Sequence, residues 1–477
     1  LVSRLVEVEV PPTPLERLAP YVLPDREIRL AEQAVAARAL LAGRSVVNVN
    51  STAVGGGVAE LVHSAVAYSR GAGLDVRWLV IHGDALFFEI TKRIHNRLHG
   101  DVGDGGTLGD SERVHYETVL AANAEELKAV IRDGDVVILH DPQTVGLARV
   151  LKEIGAIVIW RCHVGGEHGG DVMDETWAFL RPYVEPADAF VFSMEEYSPE
   201  WLDRDRLMVI HPSIDPSSAK NVDMSSQEVE NILTHVGLIA GDPLDAPATF
   251  TRSDGSIGRM NHYADVIQTG SSPQAGDPMV LQVSRWDNLK DMAGVMEAFV
   301  RLSDKPRDAH LILAGPVVTG VADDPEASVV FNDCVERWRQ LPHAERRRVH
   351  LACLPMVDWE ENAAIVNALQ RHATVILQKS LAEGFGLTVT EAMWKGKPVI
   401  GSDVGAIAVQ LIDGETGFLL ADPTDLDACS EAIGVALHDG KKMARFGNAA
   451  RERVRKDFLT DRDFLQYAEL IARLVTS

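Results

Sequence analysis

Five short apolar, β-branched runs, at 46–49, 76–81, 136–139, 157–160 and 190–192, alternate with stretches of helical periodicity at 58–70, 85–98, 124–132 and 175–184. No other feature restricts the fold as tightly. A strand without polar alternation is buried on both faces, and a helix between two such strands is the crossover of a βαβ unit. The pattern restarts after a Pro-punctuated stretch, with runs at 280–283, 310–314, 349–353, 375–378 and 399–400. The chain therefore reads as α/β, with two successive doubly wound parallel-sheet domains. Pro212 and Pro216 close the strand at 207–210 and mark the join. The expected domains are 1–214 and 215–459, with an amphipathic helix at 460–477 returning to the first.

Two domains above ~200 residues each bury enough surface to need no disulfide or metal staple. Cys162, Cys334, Cys353 and Cys429 lie far apart and form no C-x-x-C pair, which speaks against a zinc ribbon or a secreted disulfide scaffold. The 46 basic and 70 acidic side chains of the 477 residues leave a net charge of −24. A general nucleic-acid or anionic-membrane surface is thereby disfavoured, and any anionic ligand needs a local basic site. No run approaches the ~18 apolar residues of a membrane span. Residues 1–9 lack the apolar core of a signal peptide, so a cytoplasmic enzyme is expected. Residues 241–277 are rich in Gly, Ser, Asp, Pro and Thr and read as a long loop or an insertion ordered in some other way. The Gly/Asp-rich 100–110 stretch reads as a solvated turn rather than a calcium loop. Trp177, Trp201, Trp338, Trp359 and Trp394 are spread singly and are expected in packing roles.

Three motifs carry chemistry. Residues 48–58 (NVNSTAVGGGV) are a strand, a glycine loop and a helix start, where Gly56 and Gly57 let backbone approach a ligand. The loop is neither G-x-G-x-x-G nor a P-loop, so dinucleotide and nucleotide-triphosphate fingerprints are absent. Residues 284–291 (SRWDNLKD) follow a strand, and Arg285 and Lys290 can flank a phosphate beyond its carboxyl end. Residues 383–393 (EGFGLTVTEAM) also follow a buried strand and run into a helix. Glu383 and Glu391 can bind sugar and ribose hydroxyls while the N–H groups around Leu387 and Thr388 take a diphosphate.

The E-x7-E motif, with the Arg285/Lys290 pair and the N-terminal glycine loop, resembles the retaining glycosyltransferases of family 4. Longer stretches are similar to the trehalose synthases that couple a nucleotide-activated glucose to free glucose: 375–401 (VILQKSLAEGFGLTVTEAMWKGKPVIG), 54–64 (VGGGVAELVHS), 87–96 (FFEITKRIHN), 140–143 (HDPQ) and 160–163 (WRCH). The resemblance implies a GT-B fold, two Rossmann-like domains facing a central cleft, the first binding the acceptor and the second the nucleotide sugar. It implies catalytic roles for Arg285 and Lys290 on the donor diphosphate and for Glu383 on the donor sugar. It further implies donor binding by Gly56, Gly57, Gly384, Phe385, Gly386, Leu387, Thr388 and Glu391, and acceptor binding by His140, Asp141, Gln143, Arg161 and His163.

The chain departs from that family at 164–170 (VGGEHGG), where Ile-Asp is usual, and at Gly405-Ala406, where Gly-Gly is common. The first departure lies in the acceptor half, which leaves open a sugar phosphate, cyclitol or aminosugar acceptor. A metal at His163, Glu167 and His168 is set aside in favour of hydrogen-bonding roles. The expected reaction is α-retaining transfer of glucose to glucose, giving trehalose by front-face attack. No cofactor is expected, the nucleoside diphosphate sugar being a co-substrate. The expected partners are that donor and a small sugar acceptor, with neither nucleic acid nor membrane, and homodimerisation left open. A non-catalytic sugar-nucleotide-binding protein is the rival from another class; a dehydrogenase lacks its fingerprint.

Overall fold

The computed structural model describes residues 5–53, 56–166, 170–242, 247–318 and 325–476. It divides into two compact units, one of Leu1–Ser213 with Phe458–Ser477, the other of Ile214–Asp457.

The first unit holds strands β1 (Val6–Glu7), β2 (Val46–Asn50), β3 (Val76–Val80), β4 (Val136–His140), β5 (Ile157–Cys162), β6 (Ala189–Phe192) and β7 (Leu207–Val209). They form one sheet in the order β1-β3-β2-β4-β5-β6-β7. All neighbours are parallel except β1, which pairs antiparallel with β3 at the edge. Winding reverses between β2 and β4, and a ligand crevice is expected beyond their carboxyl ends. Continuous burial of β4 explains its apolar run, and β2 is buried throughout although Asn48 and Asn50 interrupt its valines. One sheet face packs Val46, Val76, Val136 and Ile138 against Val62 and Val66 of the Gly56–Gly71 helix and Leu470 and Ile471 of the Thr460–Thr476 helix.

Several helices differ from the sequence reading, Asp141–Thr144 and Ala148–Ile154 among them. Pro24–Leu40 is helical although the sequence reading places no helix before residue 58. Pro24 sits at the first helical position, where its missing N–H costs nothing. Asp110–Leu127 is helical where periodicity placed the element at 124–132; Glu112 reaches back to the Gly109 N–H at 2.8 Å and fixes the earlier start.

The second unit begins with β8 (Thr249–Thr251), β9 (Ile257–Arg259) and β10 (Asp265–Ile267), all within the segment that reads as a long loop. The hairpin β8–β9 is antiparallel. Its turn is held by Arg252, which meets Asp358 at 2.6 Å and Glu360 at 2.9 Å. Glu361, 1% exposed, accepts the Asn261 and His262 N–H groups at 2.6 and 2.8 Å. Trp359, expected to pack, is 49% exposed in this first helical turn. The remaining strands are β11 (Met279–Val283), β12 (His310–Pro316), β13 (Val349–Leu354), β14 (Val375–Gln378), β15 (Val399–Ser402) and β16 (Gly417–Leu420). Their sheet runs β10-β13-β12-β11-β14-β15-β16, with β10 antiparallel at the edge and the rest parallel. Winding reverses between β11 and β14, so the loops leaving those two strands flank the crevice of this unit.

Candidate active site

In the second unit those two loops are the ones that carry the Arg285/Lys290 and E-x7-E motifs. After β11 the chain turns inward at Trp286, which is fully buried and donates Nε1–H to Pro316 O at 3.0 Å. A Cβ at Gly315 would fall 2.6 Å from that nitrogen, so only glycine admits the indole. Asp287 then caps the short Asn288–Lys290 turn through the Leu289 N–H at 2.8 Å, and its other oxygen meets Arg285 at 3.0 Å. The turn points Lys290 at the second loop, where Nζ donates to Glu383 Oε2 at 2.7 Å. Gln378 Nε2 and Ser380 Oγ reach the same oxygen at 3.2 and 3.1 Å. The Leu381 N–H to Leu289 O bond, 2.7 Å, ties the loops together through backbone as well.

Behind Lys290 lies a buried support. Asp291 is left-handed, φ +44°, and caps the Met292–Arg301 helix through the Gly294 N–H at 2.9 Å. Its carboxylate pairs with Lys379, whose side chain is fully buried. Gln282 completes the support, donating to Lys290 O at 2.7 Å and accepting the Lys379 N–H at 3.2 Å. Sequence spacing does not reveal these contacts, because their partners lie on different strands.

Past Glu383 and Gly384, Phe385 is buried and its carbonyl accepts from Gln410 Nε2. Gly386 adopts φ +79° and opens the Leu387–Trp394 helix without a side-chain cap. Amides of a first helical turn, here those of Leu387 and Thr388, have no intrahelical acceptor and carry the positive end of the dipole. Glu391, one turn further, is buried, and Lys220 Nζ stands 3.6 Å from it. Lys220 is a neighbour the motif reading missed. Burial pulls the Lys395 ammonium well below its usual range, against the attraction of Glu391; Nζ donates to Asn221 Oδ1 at 3.0 Å.

In the first unit the carboxyl ends of β4 and β5 bring together the expected acceptor residues. His140 Nε2 meets Asn48 Oδ1 at 3.0 Å and Nδ1 meets His163 Nε2 at 3.1 Å, the two rings stacking 5.4 Å apart. Burial, with Arg161 adding to it, lowers the His140 pKa to about 3; His163 is lowered well below its usual value for the same reasons. Asp141 stands at φ +62° and accepts the His163 N–H at 2.7 Å. Burial pushes its carboxyl up to about 7, against the bond from His163 and the charge of Arg161. Arg161, 2% exposed, donates through Nη2 to Ser193 Oγ at 3.3 Å. Among the described residues Arg161 Nη1, His163 Nδ1 and Gln143 Oε1 are buried without a partner. Gly56 and Gly57 begin the Gly56–Gly71 helix; Val54 and Gly55 of the same loop lie outside the described residues, as do Glu167 and His168 of the metal reading. Among the described residues no three His, Cys, Asp or Glu side chains gather in a metal-binding group, and no helix is long and apolar enough to cross a membrane.

Comparisons with known proteins match two separate stretches of the chain. Residues 48–199 match the family model for the trehalose synthase N-terminal domain, and residues 267–453 match glycosyl transferases group 1. The chain is 36% identical over 435 residues to a trehalose synthase of Pyrococcus horikoshii, covering 91% of each. It is 31% identical over 440 residues to a trehalose synthase of Rubrobacter xylanophilus, covering 91% of this chain and 92% of the relative. Among solved structures, an α,α-trehalose-phosphate synthase (UDP-forming) of Burkholderia xenovorans in complex with glucose-6-phosphate superposes with a TM-score of 0.66 at 14% identity, over 90% of this chain and 100% of that one. That likeness concerns the fold, which is GT-B.

Proposed function

The chain belongs to the trehalose synthase family and is a hexosyltransferase of GT-B fold, and on that premise we propose that it moves glucose from a nucleoside diphosphate glucose to free glucose, forming trehalose with the α configuration retained. The reading rests on one observation above all: Lys290 is held against Glu383 at the winding reversal of the second sheet, with Arg285 in the same loop and an uncapped helix end beside it. Few ligands suit adjoining cations, a carboxylate and free amides as well as a diphosphate joined to a sugar.

As the bond from the anomeric carbon to the β-phosphate oxygen breaks, negative charge grows on the phosphate. Arg285, Lys290 and the Leu387 helix end stabilise it, and each acts most strongly where water is excluded. Glu383 holds the donor sugar's hydroxyls and Glu391 the ribose, with Lys220 holding Glu391 in place. The incoming hydroxyl attacks from the face the phosphate leaves, and its proton passes to the departing phosphate oxygen. In the first unit His140, Asp141, Gln143, Arg161 and His163 bind the acceptor, Asp141 fixing His163 through the backbone. The chemistry calls for no cofactor or metal.

Calorimetry with UDP-glucose and with ADP-glucose tests the donor half. At least one should bind, and Lys290→Ala and Arg285→Ala should each weaken it. Equal affinity in the wild type and both variants would remove the basic pair from the diphosphate site.

A further inference from the structure

Gln410 is fully buried, and both ends of its side-chain amide are engaged. Oε1 accepts from Thr390 Oγ1 at 2.5 Å, on the helix that follows the E-x7-E loop. Nε2 donates to Phe385 O inside that loop and to Ala406 O at 3.2 Å. Two carbonyls on one side fix the amide's orientation, since an oxygen placed there would face both. The residue is itself held. Arg453 donates through Nε to Gln410 O at 2.8 Å and through Nη2 to Val409 O at 2.6 Å. Packing alone does not call for an amide at this point, because a buried polar group costs free energy unless its bonds are made.

The bond to Phe385 O decides where the next amide points. None of the described peptides is cis, so the Phe385 carbonyl and the Gly386 N–H point in opposite directions within one plane. With the carbonyl turned in to Gln410, the Gly386 N–H turns away from it and has no acceptor among the described residues. Gly386 is left-handed, φ +79° and ψ +63°, and Leu387 after it opens a right-handed helix. Successive residues of opposite hand gather three consecutive N–H groups, here those of Gly386, Leu387 and Thr388, into one concavity that suits an anion. Glycine alone does not preserve this arrangement. Turning the 385–386 peptide over takes φ of Gly386 to the negative side, which glycine also allows, and would put a carbonyl oxygen into the concavity. Gln410 opposes that rotation.

We propose that Gln410 is a positioning residue for the donor: it locks the Phe385–Gly386 peptide so that the Gly386 N–H joins those of Leu387 and Thr388 on the diphosphate. This role rests on the nucleoside diphosphate donor proposed for the site, and it is exerted through the backbone without touching the donor.

Phe-Gly occurs at two places in the chain, 385–386 and 446–447, so carbonyl-labelled phenylalanine with nitrogen-labelled glycine gives two amide signals. Loss of one in Gly386→Ala assigns it. In the wild type, UDP or ADP should shift the Phe385–Gly386 signal and leave the other in place. Gln410→Met, similar in length but without a donor, should move that signal in the free protein. It should also weaken the diphosphate by about tenfold, the loss of one hydrogen bond to a charged group. Thr390→Val removes a bond to the same side chain yet leaves Nε2 on Phe385 O. It should lose stability and keep the wild-type affinity. If Gln410→Met does not fold, Gln410→Glu, which keeps the shape and sets an oxygen against the two carbonyls, is read in its place with the same expected loss. A Phe385–Gly386 signal unmoved by bound diphosphate, wild-type affinity in the folded Gln410 variant, or equal weakening by Thr390→Val would overturn the lock and leave the donor standing. A wild type that binds neither diphosphate would overturn both.

Discussion

Lys290 and Glu383 stand 93 positions apart in the chain, and Lys290 Nζ lies 2.7 Å from Glu383 Oε2. Parallel pairing of β11 with β14 brings them together, because both residues leave the carboxyl ends of adjacent strands. The pair joins a cation suited to a phosphate with a carboxylate suited to a sugar. Neither residue is needed to hold the core. Lys290→Ala is expected to lower kcat by about 100-fold or more, the scale for losing one preorganised charge. The thermal midpoint should fall as well, because Glu383, with 9% of its side chain exposed, loses this cation and is left with hydrogen bonds from Gln378 and Ser380. Steady-state kinetics beside a melting curve separates the two effects.

Lys379 acts one layer behind. Its buried ammonium pairs with Asp291, and both sit beside the Lys290 turn. Lys379→Met leaves that carboxylate unpaired and should destabilise the protein by about 3–5 kcal/mol in denaturant unfolding. Asp291→Asn in the same chain should restore part of that loss. Equal stability of the single and double variants would show that the ion pair contributes nothing.

Gly386 occupies φ +79°, and a Cβ there would meet Glu383 Cγ at 3.2 Å. Gly386→Ala should cost about 1–2 kcal/mol for the left-handed backbone. It should also raise KM for the donor, because Glu383 must shift. A stability loss with unchanged KM would detach the glycine from the sugar site.

Asp141 gives the first unit a pH signature. Its carboxyl titrates near 7 when folded, against a usual 3.8. The folded chain therefore holds a proton that the unfolded chain releases, and this contribution, full below about pH 4, is lost as pH rises towards 7. Asp141→Asn keeps an oxygen for the His163 N–H and removes the titration. The stability of wild type relative to the variant should fall between pH 4 and 7, by up to about 1.4 kcal/mol per pH unit. His140, lowered to about 3, works oppositely in both proteins and cancels in the difference. A difference that stays flat from pH 4 to 8 would contradict the assignment.

What the sequence makes legible follows from local chemistry. Strands such as β4 and β14 are buried on both faces and announce themselves by unbroken apolar runs, and the Gly386 turn shows itself by residue type. The hairpin β8–β9 is hidden, because three-residue strands have no periodicity and Arg252 anchors them to carboxylates 106 and 108 positions away. The Pro24–Leu40 helix is hidden because proline at a first turn and proline in a loop look alike in sequence. Lys379 and Lys220 escape for a third reason. Each is defined by a partner on another element, and a single chain read residue by residue does not pair elements.

The proposed donor is tested most directly by incubating the purified protein with glucose-labelled UDP-glucose or ADP-glucose and unlabelled glucose, and following the products by carbon NMR. The account predicts an α,α-linked disaccharide labelled in one of its two glucosyl units, with one nucleoside diphosphate released per disaccharide formed. Label that stays on the donor with both nucleotides, under conditions where the protein is folded, would contradict it.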